Sequence, residues 1–234
     1  MNRKLLGPRF LRRPTMSERH LTGAALLVAA SLVTSSAYAN PFDLRLHETG
    51  FADVIVSSTT PSVAFVGAFG TFSVSIDGGV ATGFPQIDLG STDISTSTPG
   101  ILTITLSETG LLSPAGLTQW LTKFTGNDAT AAGSTVTLMS ALDLTNTIFG
   151  TGTALSTLGP HSESLFTDSD VKGANISTTP YALTLVLTIN STGAGTYSLD
   201  GSLQPVPEPA SLTLLGTALL GLGWLGRRRR RKAA

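Results

Sequence analysis

The stretch Tyr181-Ala182-Leu183-Thr184-Leu185-Val186-Leu187-Thr188-Ile189 decides the fold. Tyr181, Leu183, Leu185, Leu187 and Ile189 alternate with Ala182, Thr184, Val186 and Thr188. A period of two puts successive side chains on opposite faces of an extended chain, and β-branched residues suit such a pleated surface. The pattern recurs outward from there. Phe72, Val74 and Ile76 alternate with Ser73, Ser75 and Asp77, and Leu102, Ile104 and Leu106 with Thr103, Thr105 and Ser107. Val136, Leu138, Ser140 and Leu142 alternate with Thr137, Met139 and Ala141, and Tyr197, Leu199 and Leu203 continue the series. Half-buried strands are the expectation.

Turn signals fall between these runs: Asp77-Gly78-Gly79, Pro99-Gly100, and Ser191-Thr192-Gly193-Ala194-Gly195, which reads as the loop of a terminal hairpin. Seven to nine strands are expected. One stretch reads as helix: over 113–124, Leu117, Trp120, Leu121 and Phe124 fall at helical spacing, with Ser113 as cap and Pro114 at the first helical position. The region 145–180 is rich in Gly, Thr and Ser, has little periodicity, and reads as long loops. Many short strands with regular turns predict an all-β, antiparallel β-sandwich of jelly-roll or immunoglobulin-like type, with a barrel as the alternative.

The chain's zero formal charge conceals a segregation. Six basic residues precede position 20 and six lie at 227–232, leaving Arg45, Lys123 and Lys172 against thirteen acidic residues over 40–206, a net charge of −10 there. An acidic domain repels phosphate backbones, which argues against nucleic acid as a partner. The absence of cysteine excludes disulfides, thiolate metal sites and cysteine nucleophiles. The 167 residues of 40–206 suffice to bury a core without such staples.

Both ends read as addresses. A basic region is followed by the apolar run Leu21–Val33 and by Ala37-Tyr38-Ala39, where Ala37 and Ala39 form a small-x-small signal cleavage site. Met16 offers a second start with a more compact signal. The apolar run of 13 residues is short for a span, so a cleaved signal helix is expected over 1–39, with Asn40 the new terminus. At the other end stand Val206-Pro207-Glu208-Pro209, the uncharged stretch 210–226, and Arg227, Arg228, Arg229, Arg230, Arg231 and Lys232. The 17 uncharged residues would make a helix about 25 Å long, enough to cross a membrane, and the basic tail would stop on the cytoplasmic side, leaving the domain outside.

This C-terminal arrangement resembles the PEP-CTERM sorting signal of Gram-negative and some other bacteria. The resemblance covers 205–234 and leaves 40–204, the Ser/Thr/Gly-rich β domain, unassigned. It implies processing near Pro-Glu-Pro by exosortase, a membrane-embedded cysteine peptidase. It also implies inner-membrane anchoring before processing, and afterwards a place at the cell surface or in exopolysaccharide. Signal peptidase and exosortase are thus the expected processing partners, with exopolysaccharide a further one and the membrane engaged through the C-terminal helix.

Signs of catalysis are sparse. His47 and Glu48, near Asp43 and Asp53, read as a solvated N-terminal segment, and no His-Glu-x-x-His pattern occurs. His161, Glu163, Asp168 and Asp170 form a second group, in which Asp168-Ser169-Asp170 could turn two carboxylates toward one Ca²⁺ but lacks the spacing of a calcium loop. There is no Gly-x-Ser-x-Gly elbow and no phosphate loop. Asn175-Ile176-Ser177 and Asn190-Ser191-Thr192 match the glycosylation pattern, as a Ser/Thr-rich chain does by chance. The expectation is a non-catalytic structural or interaction protein without cofactor, metal or catalytic residues. The alternatives are a carbohydrate-binding module, which would expose Phe72, Trp120 and Tyr197 for stacking, a secreted hydrolase, or an ice-binding protein, which would need a flat, regular Thr array.

Overall fold

The computed structural model describes residues 41–79, 85–206 and 216–219, without the side chains of 128–130. The expected signal segment lies outside the described residues, as does most of the expected C-terminal span. Residues 216–219 of that span are helical. No described helix is long and apolar enough to cross a membrane.

Twelve strands are described: β1 (Phe42–Glu48), β2 (Val54–Ser58), β3 (Ser62–Phe69), β4 (Phe72–Gly79), β5 (Ile87–Thr96), β6 (Gly100–Leu111), β7 (Gly116–Thr130), β8 (Thr135–Asp143), β9 (Thr153–His161), β10 (Leu165–Ile176), β11 (Tyr181–Ser191) and β12 (Gly195–Pro205). They form two six-stranded antiparallel sheets. Sheet I has the order β2-β1-β6-β11-β8-β9 and sheet II the order β10-β7-β12-β5-β4-β3. The last eight strands pair in a nested series, β5 with β12, β6 with β11, β7 with β10 and β8 with β9. The chain therefore alternates between sheets as it closes inward to the β8–β9 hairpin and back out.

The alternating residues lie where the pattern places them. Leu183, Leu185, Leu187 and Ile189 of β11 are buried against Leu102, Ile104 and Leu106 of β6 in one layer. Val74, Ile76, Leu89, Trp120, Phe124, Tyr197, Leu199 and Leu203 form the facing layer. Each fully buried side chain of this size contributes about 1.5–3 kcal/mol. The two layers also share a hydrogen bond: Thr122 Oγ1 of β7 lies 2.7 Å from Ser140 Oγ of β8, both fully buried.

The twelve strands exceed the seven to nine expected, and four further expectations are corrected. Residues 116–124 are strand, not helix. Thr118, Trp120, Thr122 and Phe124 face inward, while Leu117, Gln119 and Lys123 face solvent. The helical spacing arose because apolar residues sit on both faces of one strand. The segment 191–195 is not a hairpin loop but a crossing between sheets, since β11 belongs to sheet I and β12 to sheet II. Their apolar faces meet across the core instead of pairing edge to edge. The region 145–180 contains β9 and β10. The loop between β8 and β9 lies over sheet I, where the N–H of Phe149 donates to Ser107 Oγ and Arg45 lies 4.8 Å from the Phe149 ring centre. Finally, the N-terminal stretch is not a solvated segment: β1 pairs with both β2 and β6, and Asp43 and Glu48 are buried.

The strand register makes a test. Trp120→Ala is expected to cost about 3–5 kcal/mol and Leu117→Ala no more than about 0.5 kcal/mol in urea denaturation. A helical 113–124 would bury both and make both substitutions costly.

Candidate functional site

Alternation in sheet II leaves every second side chain of its strands on the outer face. In register across this face run Val66 of β3, Ser75 of β4, Asp93 of β5, Ser198 of β12 and Asn127 of β7. The next row carries Ala68, Ser73, Ser95 and Thr196. Together they line an open groove of about 540 Å³. Five hydroxyls, one amide and one described carboxylate stand in it among Val66, Ala68, Val74 and Ile94, and Tyr197, the one ring among the described residues of its wall, is buried. Such a surface can exchange hydrogen bonds with a polar ligand but offers no stacking platform. Phe72 and Trp120 are buried as well, so the three aromatics a sugar-stacking face would expose all belong to the core. No single segment signals this groove, because its residues come from five strands and converge only through register.

The acidic residues singled out in the sequence are mostly used to tie the sheets. Glu48 accepts hydrogen bonds from the N–H of Thr71 at 2.9 Å and from its hydroxyl at 2.6 Å, joining β1 of sheet I to the β3–β4 turn of sheet II. A Cβ on Gly70, where φ is +57°, would lie 1.7 Å from that carboxylate, so only glycine fits there. Asp43 accepts from Ser57 on the neighbouring strand. At the opposite edge His161 stacks on Phe166 with ring centres 4.3 Å apart. Its Nε2 lies 3.1 Å from Asp168, its Nδ1 lies 3.4 Å from Glu163, and Asp170 accepts from Ser156 at 2.8 Å. Asp168 and Asp170 thus share the side of β10 that meets β9, each engaged by a different β9 residue. His47 pairs with Asp53 at 2.7 Å in an exposed position. Among the described residues no group of three or more His, Asp and Glu could hold a metal ion.

Three carboxylates depart clearly from ordinary behaviour: Asp88, Asp143 and the exposed Glu163, which backbone hydrogen bonds at Glu163 and Ser162 hold low. The Asp88 carboxyl is pushed up to about 6 by its burial and by the neighbouring Asp200. One of its oxygens is buried without a hydrogen-bond partner. Burial also pulls Asp143 upward, but hydrogen bonds from the hydroxyl and N–H of Thr145 and the N–H of Thr147 outweigh it and hold that carboxyl low. Asp143 thereby pins the start of the loop over sheet I.

Of the addressing residues, Val206 is described. It is exposed, and its N–H donates to the Gln119 carbonyl at 2.8 Å, so the fold holds the chain up to the first residue of Val206-Pro207-Glu208-Pro209. Ala37, Ala39, Pro207, Glu208, Pro209 and Arg227 to Lys232 lie outside the described residues.

The family model of the PEP-CTERM protein-sorting motif matches residues 205–231. The tail that follows β12 is a PEP-CTERM sorting motif, and it marks the chain as an exported exosortase substrate. No curated protein matches the chain in sequence. Among solved structures, the enzymatically active domain of tailspike protein 4 from bacteriophage CBA120 is 13% identical with a TM-score of 0.34. That match covers 58% of this chain and 19% of the tailspike chain, so this chain spans about a fifth of that protein. TmCBM61, solved in complex with β-1,4-galactotriose, is 11% identical with a TM-score of 0.33, covering 61% of this chain and 92% of its own.

Asp88 makes the stability depend on pH in a stated direction. A carboxyl harder to ionise when folded than when unfolded favours the fold fully below about pH 4, and that contribution is lost as pH rises to about 6. Asp88→Asn is expected to raise the melting temperature at pH 7 by about 1–3 °C, discounted for the group's partial exposure, with the gap closing near pH 4. Thermal melts at the two pH values check this; an equal gap at both would contradict it.

Proposed function

We propose that this protein is a non-catalytic structural or interaction component of the cell surface or exopolysaccharide matrix, delivered there by exosortase. The observation that carries the reading is the sorting motif at 205–231, joined directly to the last strand of a disulfide-free β-sandwich. An N-terminal signal cleaved after Ala39 would bring the chain across the membrane, and the basic tail would hold it until processing. The nested pairing of β5–β12 supports a jelly-roll topology, with β1–β2 and β3–β4 extending its two sheets.

A second reading, a carbohydrate-binding role, is favoured by the groove on sheet II. Its hydroxyl, amide and carboxylate lining suits hydrogen bonding to a neutral glycan, and Asp93 would repel an acidic one. A hydrolase reading has less support. The groove presents one described carboxylate, whereas glycoside hydrolysis uses two across the scissile bond.

Glu208→Gln is expected to leave the β domain folded and to abolish or strongly reduce removal of the tail in a host carrying exosortase. Immunoblots of membrane and released fractions check this. Unchanged processing would overturn the exosortase reading.

A further inference from the structure

A sheet edge presents unpaired N–H and C=O groups, and stable folds blunt such edges with short strands, charges, prolines or bulges. Four strands end the two sheets: β2 and β9 in sheet I, β3 and β10 in sheet II. β2 has five residues. β9 contains Pro160 and two shifts of register against β8. β10 carries Asp168, Asp170 and Lys172. β3, Ser62-Val63-Ala64-Phe65-Val66-Gly67-Ala68-Phe69, has none of these devices. It is eight residues long, uncharged, free of proline and in unbroken register with β4.

The β3–β4 hairpin fixes which groups are open. Gly70 and Thr71 form a two-residue loop between Phe69 and Phe72, with a positive φ at Gly70 and not at Thr71, so Phe69 and Phe72 are a hydrogen-bonded pair. Counting back by two, Phe69, Gly67, Phe65 and Val63 bond to β4, while Ser62, Ala64, Val66 and Ala68 turn their N–H and C=O to the open edge. Of these groups, only the Ser62 carbonyl has a partner among the described residues, the Thr60 hydroxyl at 3.2 Å. The core is open on the same side. Phe65 packs against it but is only half-buried, as are Val54 and Val56 of the facing strand β2. The β9–β10 side is instead tied by His161–Asp168 and Ser156–Asp170.

We infer that the β3 edge pairs antiparallel with β3 of a second copy of this chain, joining two six-stranded sheets into one. Pairing the whole strand in its hydrogen-bonding phase leaves one register. Ser62 stands opposite Ala68, Val63 opposite Gly67, Ala64 opposite Val66, and Phe65 opposite Phe65 of the second copy, on the two-fold axis. About eight inter-chain hydrogen bonds form, and facing side chains share a face, so each half-buried Phe65 ring is covered by its counterpart. A two-fold contact also uses up both unguarded edges and closes, so no third copy adds. The acidity of the domain does not oppose it. β3 bears no charge, and Asp77 on the neighbouring strand, opposite Ala64, stands at least three strand spacings, about 14 Å, from its counterpart, beyond a screening length of about 8 Å. The two grooves, which reach Val66 and Ala68, then lie on one continuous outer face. The pairing involves the β domain alone and holds whatever becomes of the tail.

The chain has no cysteine, so a disulfide in a single-cysteine variant joins two copies. Phe65→Cys, Val66→Cys and, as control, Val171→Cys are made in the full chain, purified with its tail in detergent and oxidised. In the inferred register the Cα atoms at 65 lie about 4.5 Å apart across the axis, within disulfide reach, and those at 66 about 8–9 Å apart, beyond it. The expected result is cross-linking several-fold faster at 65 than at 66 or 171, although Val66 is 79% exposed and Val171 52%. Sedimentation of the unsubstituted chain is expected to give about twice the protein mass of Val66→Asp, which puts a charge into the pairing from an exposed position and leaves the circular dichroism unchanged. Equal rates at the three sites, or a faster rate at 66, overturn the pairing centred on Phe65. A mass that Val66→Asp does not lower overturns the β3 contact, whether the chain is then a monomer or joined through its tail. A monomeric chain whose β3 amides gain protection from hydrogen exchange only when host cell-surface extract is added assigns the edge to another protein's strand and overturns the second copy.

Discussion

Face-to-face burial of two apolar layers is the interaction on which this domain depends. With no cysteine in the chain and no metal-holding group among the described residues, nothing else links sheet I to sheet II with comparable strength. Every strand must therefore send its odd or even residues inward without fault. One inward polar pair is matched across the gap, Thr122 with Ser140, since a buried hydroxyl left alone costs about 1–3 kcal/mol, whereas Trp120 Nε1 and the Tyr197 hydroxyl are buried without a hydrogen-bond partner among the described residues. Where the gap is tight, the residue is glycine: a Cβ on Gly126 would lie 2.5 Å from the Phe166 ring and 2.6 Å from Leu199. The polar ties Glu48–Thr71, His161–Asp168 and Ser156–Asp170 sit at the two open sides of the sandwich, where the apolar layers thin out.

The same alternation that builds the core lays out the functional surface. Inward residues are spent on packing, including the aromatics Phe72, Trp120 and Tyr197, so recognition is left to the outward set. On sheet II that set includes the hydroxyls and Asp93 of the groove and, toward the end where the chain departs for its sorting motif, the exposed Leu117 and Val171. Address and domain are coupled by the hydrogen bond from Val206 to Gln119, which fixes how closely the motif follows the fold.

How legible this was depended on how cleanly each strand separates its faces. β11, β6, β8 and β4 bury one face and expose or cover the other with small polar residues, and their periodicity is plain in the sequence. β7 hides its strand nature because Leu117 and Leu121 lie on the solvent side of Trp120 and Phe124, and the two faces together mimic a helix. β10 is an edge strand exposed along 169–173, so no apolar rhythm marks it there. The crossing at 191–195 uses the turn residues of a hairpin. Only the long-range choice of β12 to pair with β5 and β7 rather than β11 distinguishes the two. The sorting motif was fully legible, because its order and charge act locally. The groove was not, because it exists only once five strands are in register.

The central claim is that this sandwich is carried outward and then freed from its tail. Intact mass of the protein from a native host, measured in membrane and released fractions, tests it most directly. The account predicts a released species beginning at Asn40 and ending near Pro207. A sole species that retains Arg227 to Ala234 would contradict it and make the tail a permanent anchor.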